Sequence, residues 1–101
     1  MIVQLSPDTP PVIADVDRLD RLHAVSPGPL ADMTSGSLCR FDDDGEHVWL
    51  DIAVARAAGT DVSEDDGWPE KYDAMIAYAT SKGWTDGAGT HVRAHVERSD
   101  G

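Results

Sequence analysis

The chain has 101 residues, of which 41% are hydrophobic and 27% are charged, a balance typical of one globular domain (residues 1–101) with a single modest core. Nineteen acidic and eight basic residues give a net charge of −11, which disfavours direct binding to nucleic acid or anionic membranes, since both are bound through Lys and Arg. The sequence has no long apolar run, no recognisable signal peptide and one cysteine, so we expect a cytoplasmic protein.

The first third of the chain is predicted to contain one strand, one helix and one loop. Residues 2–5 are apolar and β-branched, which favours a short strand. A helix is predicted over residues 10–25, because an N-cap residue precedes a proline and apolar residues then recur at helical spacing. Pro27-Gly28-Pro29 cannot continue that helix, so residues 26–37 are predicted to form a loop.

An acidic hairpin is predicted next. A strand over residues 37–41 leads into Asp42-Asp43-Asp44-Gly45, where glycine supplies a positive φ. The chain returns in a strand predicted from His47 to Val54, in which apolar residues alternate with polar or aromatic ones. An alternative is a short Ala-rich helix over residues 51–58, and the sequence leaves this choice open. Residues 59–67 are polar and acidic, and a second loop is predicted there.

The last third is predicted to form a helix and a strand. Pro69 suits the first turn of a helix, and Gly83 suits a left-handed cap at its end, which predicts a helix from Trp68 to Gly83. The alternating run from Thr90 to Glu97 predicts a final strand, and residues 98–101 are expected to fray. The resulting order, β-α-β-β-α-β, predicts an α+β ferredoxin-like fold with two helices on one face of an antiparallel sheet. Without the first strand, the sheet would have three strands.

This fold would leave one sheet face open. Residues two apart in a strand point to the same side, so the apolar residues would face the helices. Six other side chains would share the open face: His47, Trp49, Asp51, His91, Arg93 and His95. We expect no metal there, because residues four apart on a strand are separated by roughly 13 Å, too far for His91 and His95 to share one ion.

The leading functional hypothesis is a binding domain that forms a homodimer or docks onto a protein partner through the open face. Trp49 and Trp68 would be its anchors, because buried tryptophans dominate many interfaces. Arg93 and His47 would supply polar contacts. No cofactor is expected, because the sequence contains no nucleotide or redox motif.

Two other functions remain open. The first is a small enzyme or small-molecule-binding protein that uses the same face, with His91 or His95 as general base oriented by Asp51. Arg93 would then hold an anionic group of the ligand. The second is an acidic mimic of nucleic acid that inhibits a basic protein.

Overall fold

In the computed structural model, which describes residues 1–99, the chain forms a curled six-stranded half-barrel with two helices against one side. A short 3-10 turn, Leu30–Asp32, precedes the fourth strand. The strands are β1 (Ile2–Gln4), β2 (Val12–Ala14), β3 (His23–Ser26), β4 (Cys39–Phe41), β5 (His47–Asp51) and β6 (His91–Arg98), and the helices are α1 (Ile52–Val62) and α2 (Trp68–Ser81).

The predicted ferredoxin-like sandwich is wrong, as is its three-stranded variant, although the fold is α+β. The strand order is β2-β1-β3-β6-β5-β4. The pairs β1–β3 and β3–β6 are parallel, whereas the other three pairs are antiparallel. The sheet is therefore mixed, and it contains two strands in the part of the chain where the prediction had a helix.

The helix predicted over residues 10–25 is replaced by β2, a turn and β3. Asp15 has a φ of 48°, a left-handed conformation that stops any helix at that point. β2 and β3 flank β1 on its two edges, so the backbone groups of β1 have strand partners on both sides. The β-branched residues Val12 and Ile13 suit this extended conformation better than a helix.

The alternative with a helix after Asp51 is the correct one. β5 ends at Asp51, whose side-chain Oδ1 accepts the backbone N–H of Val54 at 3.0 Å and so caps α1. The helix then continues to Val62, which moves the start of the loop predicted over residues 59–67 to Ser63. Alanine-rich segments favour helix, and here that preference prevails over the strand alternation.

The other local predictions are largely confirmed. The hairpin forms with Gly45 at a φ of 71°, and α2 ends just before Gly83, whose φ is 78°. In the loop predicted over residues 26–37, Ser26 belongs to β3 and the 3-10 turn forms. Arg98 lies in β6, so the predicted fraying does not begin there, and residues 100–101 lie outside the described residues.

One core joins the sheet to both helices. The buried side chains of β5 and β6 are those that alternation assigned to the helix side. The centre of the core is Trp68, which is 1% exposed and stacks on Tyr72 with ring centroids 5.0 Å apart. Gly59 of α1 lies directly against the indole, and a Cβ atom at this position would overlap the six-membered ring.

Gly59→Ala is expected to destabilise the fold by about 2–3 kcal/mol, because the added methyl overpacks the Trp68 contact. Helix propensity alone predicts the opposite sign, a gain of about 1 kcal/mol. The matched control is Ala57→Gly at an exposed position of the same helix, which should cost about 1 kcal/mol. Urea denaturation measures both changes, and a stabilised Gly59→Ala protein would contradict the packing described here.

Candidate functional site

The six residues predicted to share the open sheet face lie together on the side of β5 and β6 opposite the helices. They form three cross-strand pairs: His47 with His95, Trp49 with Arg93, and Asp51 with His91. The residues between them on both strands are buried, so the predicted alternation is confirmed. We call this set, together with Arg40, which pairs with Trp49 from β4, the outer face.

Arg93 is held by carboxylates of the hairpin turn. Its Nη2 donates to Asp44 Oδ2 at 2.9 Å, and its Nε lies 3.4 Å from Asp42 Oδ2. Asp44 also contacts His47, with 2.7 Å between Oδ2 and Nδ1. Sequence reasoning assigned the acidic run to a turn alone and missed this network, which depends on how the hairpin folds over β6.

Asp44 is the carboxylate most strongly stabilised in its charged form. The backbone N–H of Glu46 donates to its Oδ1 at 2.8 Å, and His47 and Arg93 add to this effect. These interactions lower the pKa of Asp44 to about 2. The negative charge therefore persists well below neutral pH and keeps Arg93 in place.

His91 has both ring nitrogens directed at groups of the protein itself. Nδ1 lies 2.8 Å from Thr90 Oγ1 and 3.3 Å from Asp86 Oδ2, and Nε2 lies 3.8 Å from Asp51 Oδ2. Burial opposes ionisation of Asp86, but the backbone N–H groups of His91 and Thr90 lower the pKa of its carboxyl. The predicted proximity of Asp51 and His91 is confirmed, but 3.8 Å is too long for a hydrogen bond, so Nδ1 is the ring nitrogen that contacts the protein closely.

The other candidate catalytic residues have contacts of their own. Asp51 caps α1, which is a structural role. The exposed ring of His95 meets that of His47 edge to face, with centroids 5.4 Å apart. Burial raises the pKa of the Cys39 thiol to about 12, which suppresses the nucleophilic thiolate. Within residues 1–99, no group of three His, Cys, Asp or Glu side chains is placed to hold a metal ion.

Trp49 lies at the middle of the outer face and is partly exposed. It stands between Arg40 on β4 and Arg93 on β6, and the Arg40 guanidinium carbon is 6.0 Å from the indole centroid, a cation–π distance. A shallow cleft of about 290 Å³ runs beside it, lined also by Asp42 and Asp43. This is the part of the outer face that offers aromatic surface to another molecule.

The second predicted anchor, Trp68, is not available to a partner. Its indole is buried in the core, and its Nε1 donates to the carbonyl of Val16 at 2.7 Å. Trp84, which the sequence reasoning did not select, is 49% exposed. Its position directly after Gly83 at the end of α2 was the available signal, since a tryptophan there lies outside the helical stripe.

Comparison of the chain with protein-family models, with curated proteins and with solved structures finds no match. No helix within residues 1–99 is long and apolar enough to cross a membrane.

The low pKa of Asp44 predicts a specific pH dependence of stability. The pKa of Asp44 in the folded protein lies below its usual value. The contribution of this carboxylate to the free energy of unfolding is therefore complete above about pH 4 and is lost as the pH falls toward about 2. Asp44→Asn should therefore lower the midpoint of urea denaturation at pH 7. Below pH 4 the difference in midpoint between the variant and the wild-type protein should be smaller. Asp43→Asn is the control. An NMR titration midpoint of Asp44 close to 4 would contradict the network.

Substitutions of Asp51 separate its capping role from its contact with His91. Asp51→Ala removes the acceptor for the Val54 N–H and should cost about 1 kcal/mol. Asp51→Asn removes the charge but keeps a capping oxygen, so it should retain most of the stability. Equal losses in urea denaturation would indicate that the charge, rather than the cap, is what matters.

Proposed function

We propose that this chain is a small protein-binding domain that docks a positively charged partner through the region around Trp49 on the outer face. The observation that carries the proposal is the cross-strand row Arg40, Trp49, Arg93, in which a partly exposed indole is flanked by two guanidinium groups. An aromatic centre with a polar rim is the arrangement in which tryptophan contributes most to binding.

The charges around Trp49 favour a basic partner. The two guanidinium groups of this region are outnumbered by carboxylates that contact the outer face or line the Trp49 cleft. An arginine of a partner could stack on the indole, as Arg40 does now, while its charge is met by these carboxylates. The carboxylates are Asp42, Asp43, Asp44, Asp51 and Asp86.

Self-association through the same face has less support. Two copies would each bring a net charge of −11 to the contact, and such repulsion opposes association at low ionic strength. A heterologous basic protein gains from the same charge. A homodimer is therefore the second candidate. Sedimentation velocity at low and high salt distinguishes a homodimer from a chain that docks a heterologous basic protein.

The remaining hypotheses are weaker on specific grounds. Acid–base use of His91 has less support, because carboxylates lie beside both of its ring nitrogens, Asp86 at 3.3 Å and Asp51 at 3.8 Å. A nucleic-acid mimic would also bind a basic protein, but its partner would release it in the presence of duplex DNA.

A cytoplasmic location is part of our proposal, and the buried free thiol of Cys39 is compatible with a reducing compartment.

The proposal predicts that binding of an arginine-rich probe depends on Trp49. A nona-arginine peptide should bind the wild-type protein more tightly than a nona-lysine peptide of equal charge, because guanidinium stacks better on indole. Trp49→Ala should weaken binding of the nona-arginine peptide by about fivefold, the loss expected for one cation–π contact of ~1 kcal/mol. Isothermal titration calorimetry at two salt concentrations measures both effects.

Trp84→Ala is the matched control, because it removes another exposed indole that does not line the Trp49 cleft. Its affinity for the nona-arginine peptide should stay within about twofold of wild type. Equal affinities of wild type and Trp49→Ala, with circular dichroism showing both folded, would mean that diffuse charge alone attracts the peptide. That result would reject the proposed site.

A further inference from the structure

Two clefts meet beside β6, on the other side of Arg93 from Trp49. One has a volume of about 280 Å³ and the other about 230 Å³, and they share Leu22, Trp84 and Arg93 as lining residues. They lie between the turn that precedes β3, the end of α2, and the segment that follows α2. We call the two together the Trp84 cleft.

The Trp84 cleft has an apolar wall that is exposed to solvent. Trp84 is 49% exposed and Tyr78 is 57% exposed, and their rings meet edge to face with centroids 5.9 Å apart. Leu19, Leu22 and Met75, all partly buried, add aliphatic surface. Exposed aromatic groups gathered at a concave site are typical of ligand pockets.

The Trp84 cleft is lined by more basic than acidic side chains, unlike the protein as a whole, although Arg93 and His47 contact Asp44. Within the described residues its lining contains one carboxylate, Asp20, whose charge is compensated by Arg18 at 3.4 Å. Lys82 lies outside the lining, with its Nζ 5.4 Å from the Tyr78 ring centroid. Four basic or imidazole side chains line the cleft: Arg21, Arg93, His47 and His95.

Hydrogen bonds fix the backbone at the walls of the Trp84 cleft. The backbone N–H of Trp84 donates to the Ala79 carbonyl at 3.0 Å, and its own carbonyl accepts the Arg93 N–H at 2.7 Å. The carbonyl of Arg21 accepts a hydrogen bond from the amino group of Met1 at 2.6 Å, which holds the opposite wall. The backbone of both walls is therefore in place before a ligand binds.

We propose that the Trp84 cleft binds a small apolar anion, a molecule with a hydrophobic body and one carboxylate. The body packs against Trp84 and the aliphatic residues, and the carboxylate faces Arg21 or Lys82. Within residues 1–99 neither of these cations has a carboxylate within 4 Å, so both are available for a ligand. Arg93 borders both this site and the protein-docking region around Trp49, but the groups proposed to hold the ligand, Trp84, Arg21 and Lys82, are not part of that region.

The test uses three naphthalene probes of nearly equal size: 2-naphthoate, 2-naphthamide and 2-naphthylmethylammonium. Titration of the wild-type protein, followed by ¹H–¹⁵N spectra, should show the anion binding at least tenfold more tightly than the cation. The indole N–H signal of Trp84 should shift most. The net charge of −11 acts against this preference, so only local cations can produce it.

Variants separate the two parts of the site. Trp84→Ala should abolish binding of all three probes, whereas Trp49→Ala should leave each affinity within twofold. The double variant Arg21→Gln, Lys82→Gln should weaken 2-naphthoate at least fivefold and leave 2-naphthamide unchanged. A folded Tyr78→Ala protein should also lose affinity for the probes. Two variants then test the apolar wall, so misfolding of one of them does not leave the proposal untested.

Two results would overturn the proposal. One is equal or tighter binding of the cationic probe, since the cleft would then follow the overall charge. The other is an unchanged ratio of naphthoate to naphthamide affinity in the double variant, which would remove the cations from the site. Neither result bears on binding of the nona-arginine peptide at Trp49, so failure of this inference and of the protein-binding proposal are distinguishable.

Discussion

The burial of Trp68 is the interaction on which the rest of the structure depends. Its indole fills the space above Gly59 and stacks on Tyr72, which joins α1 and α2 into one layer. Its N–H donates to the carbonyl of Val16, next to the left-handed Asp15, and so links that layer to the turn between β2 and β3. One side chain thus connects both helices with the N-terminal strands that local sequence patterns described poorly.

A sheet fixed in this way determines which side chains must face outward. With Val48, Leu50 and Val92 buried against the helices, the alternate positions of β5 and β6 are on the surface whatever their chemistry. The chain stabilises this polar surface with its own ion pairs, such as that of Arg93 with Asp44. Such exposed pairs contribute little stability individually, but they order the long side chains around Trp49.

The sequence predicted correctly the features that depend on neighbouring residues, and it failed where pairing between distant segments decides. Gly83 and Gly45 took the left-handed conformations expected of them, and β6 alternates as predicted. The spacing of Val12 and Val16 suited a helix equally well, and the pairing of residues 12–14 with β1 prevailed. No local pattern distinguishes a helix from two strands when both edges of a third strand need partners.

The candidate sites show the same difference between features set by neighbouring residues and features set by distant segments. Alternation was sufficient to place His47, Trp49 and Arg93 on one face, but the ion pair between Arg93 and the hairpin carboxylates required the register of three strands. Trp68 was predicted to be an interface anchor because its burial could not be read from the local sequence. That burial depends on Gly59, which lies nine residues earlier in another helix. The Trp84 cleft joins residues near 20, 78 and 84, which no sequence motif connects.

The distribution of cations explains how so acidic a chain can keep an anion site. Five of its eight basic side chains form ion pairs with carboxylates, whereas Arg21 and Lys82 form none within residues 1–99. At physiological ionic strength charges are screened over about 8 Å, so distant carboxylates contribute little to the potential at the Trp84 cleft. Local composition, rather than the net charge of −11, then decides which ligand the cleft accepts.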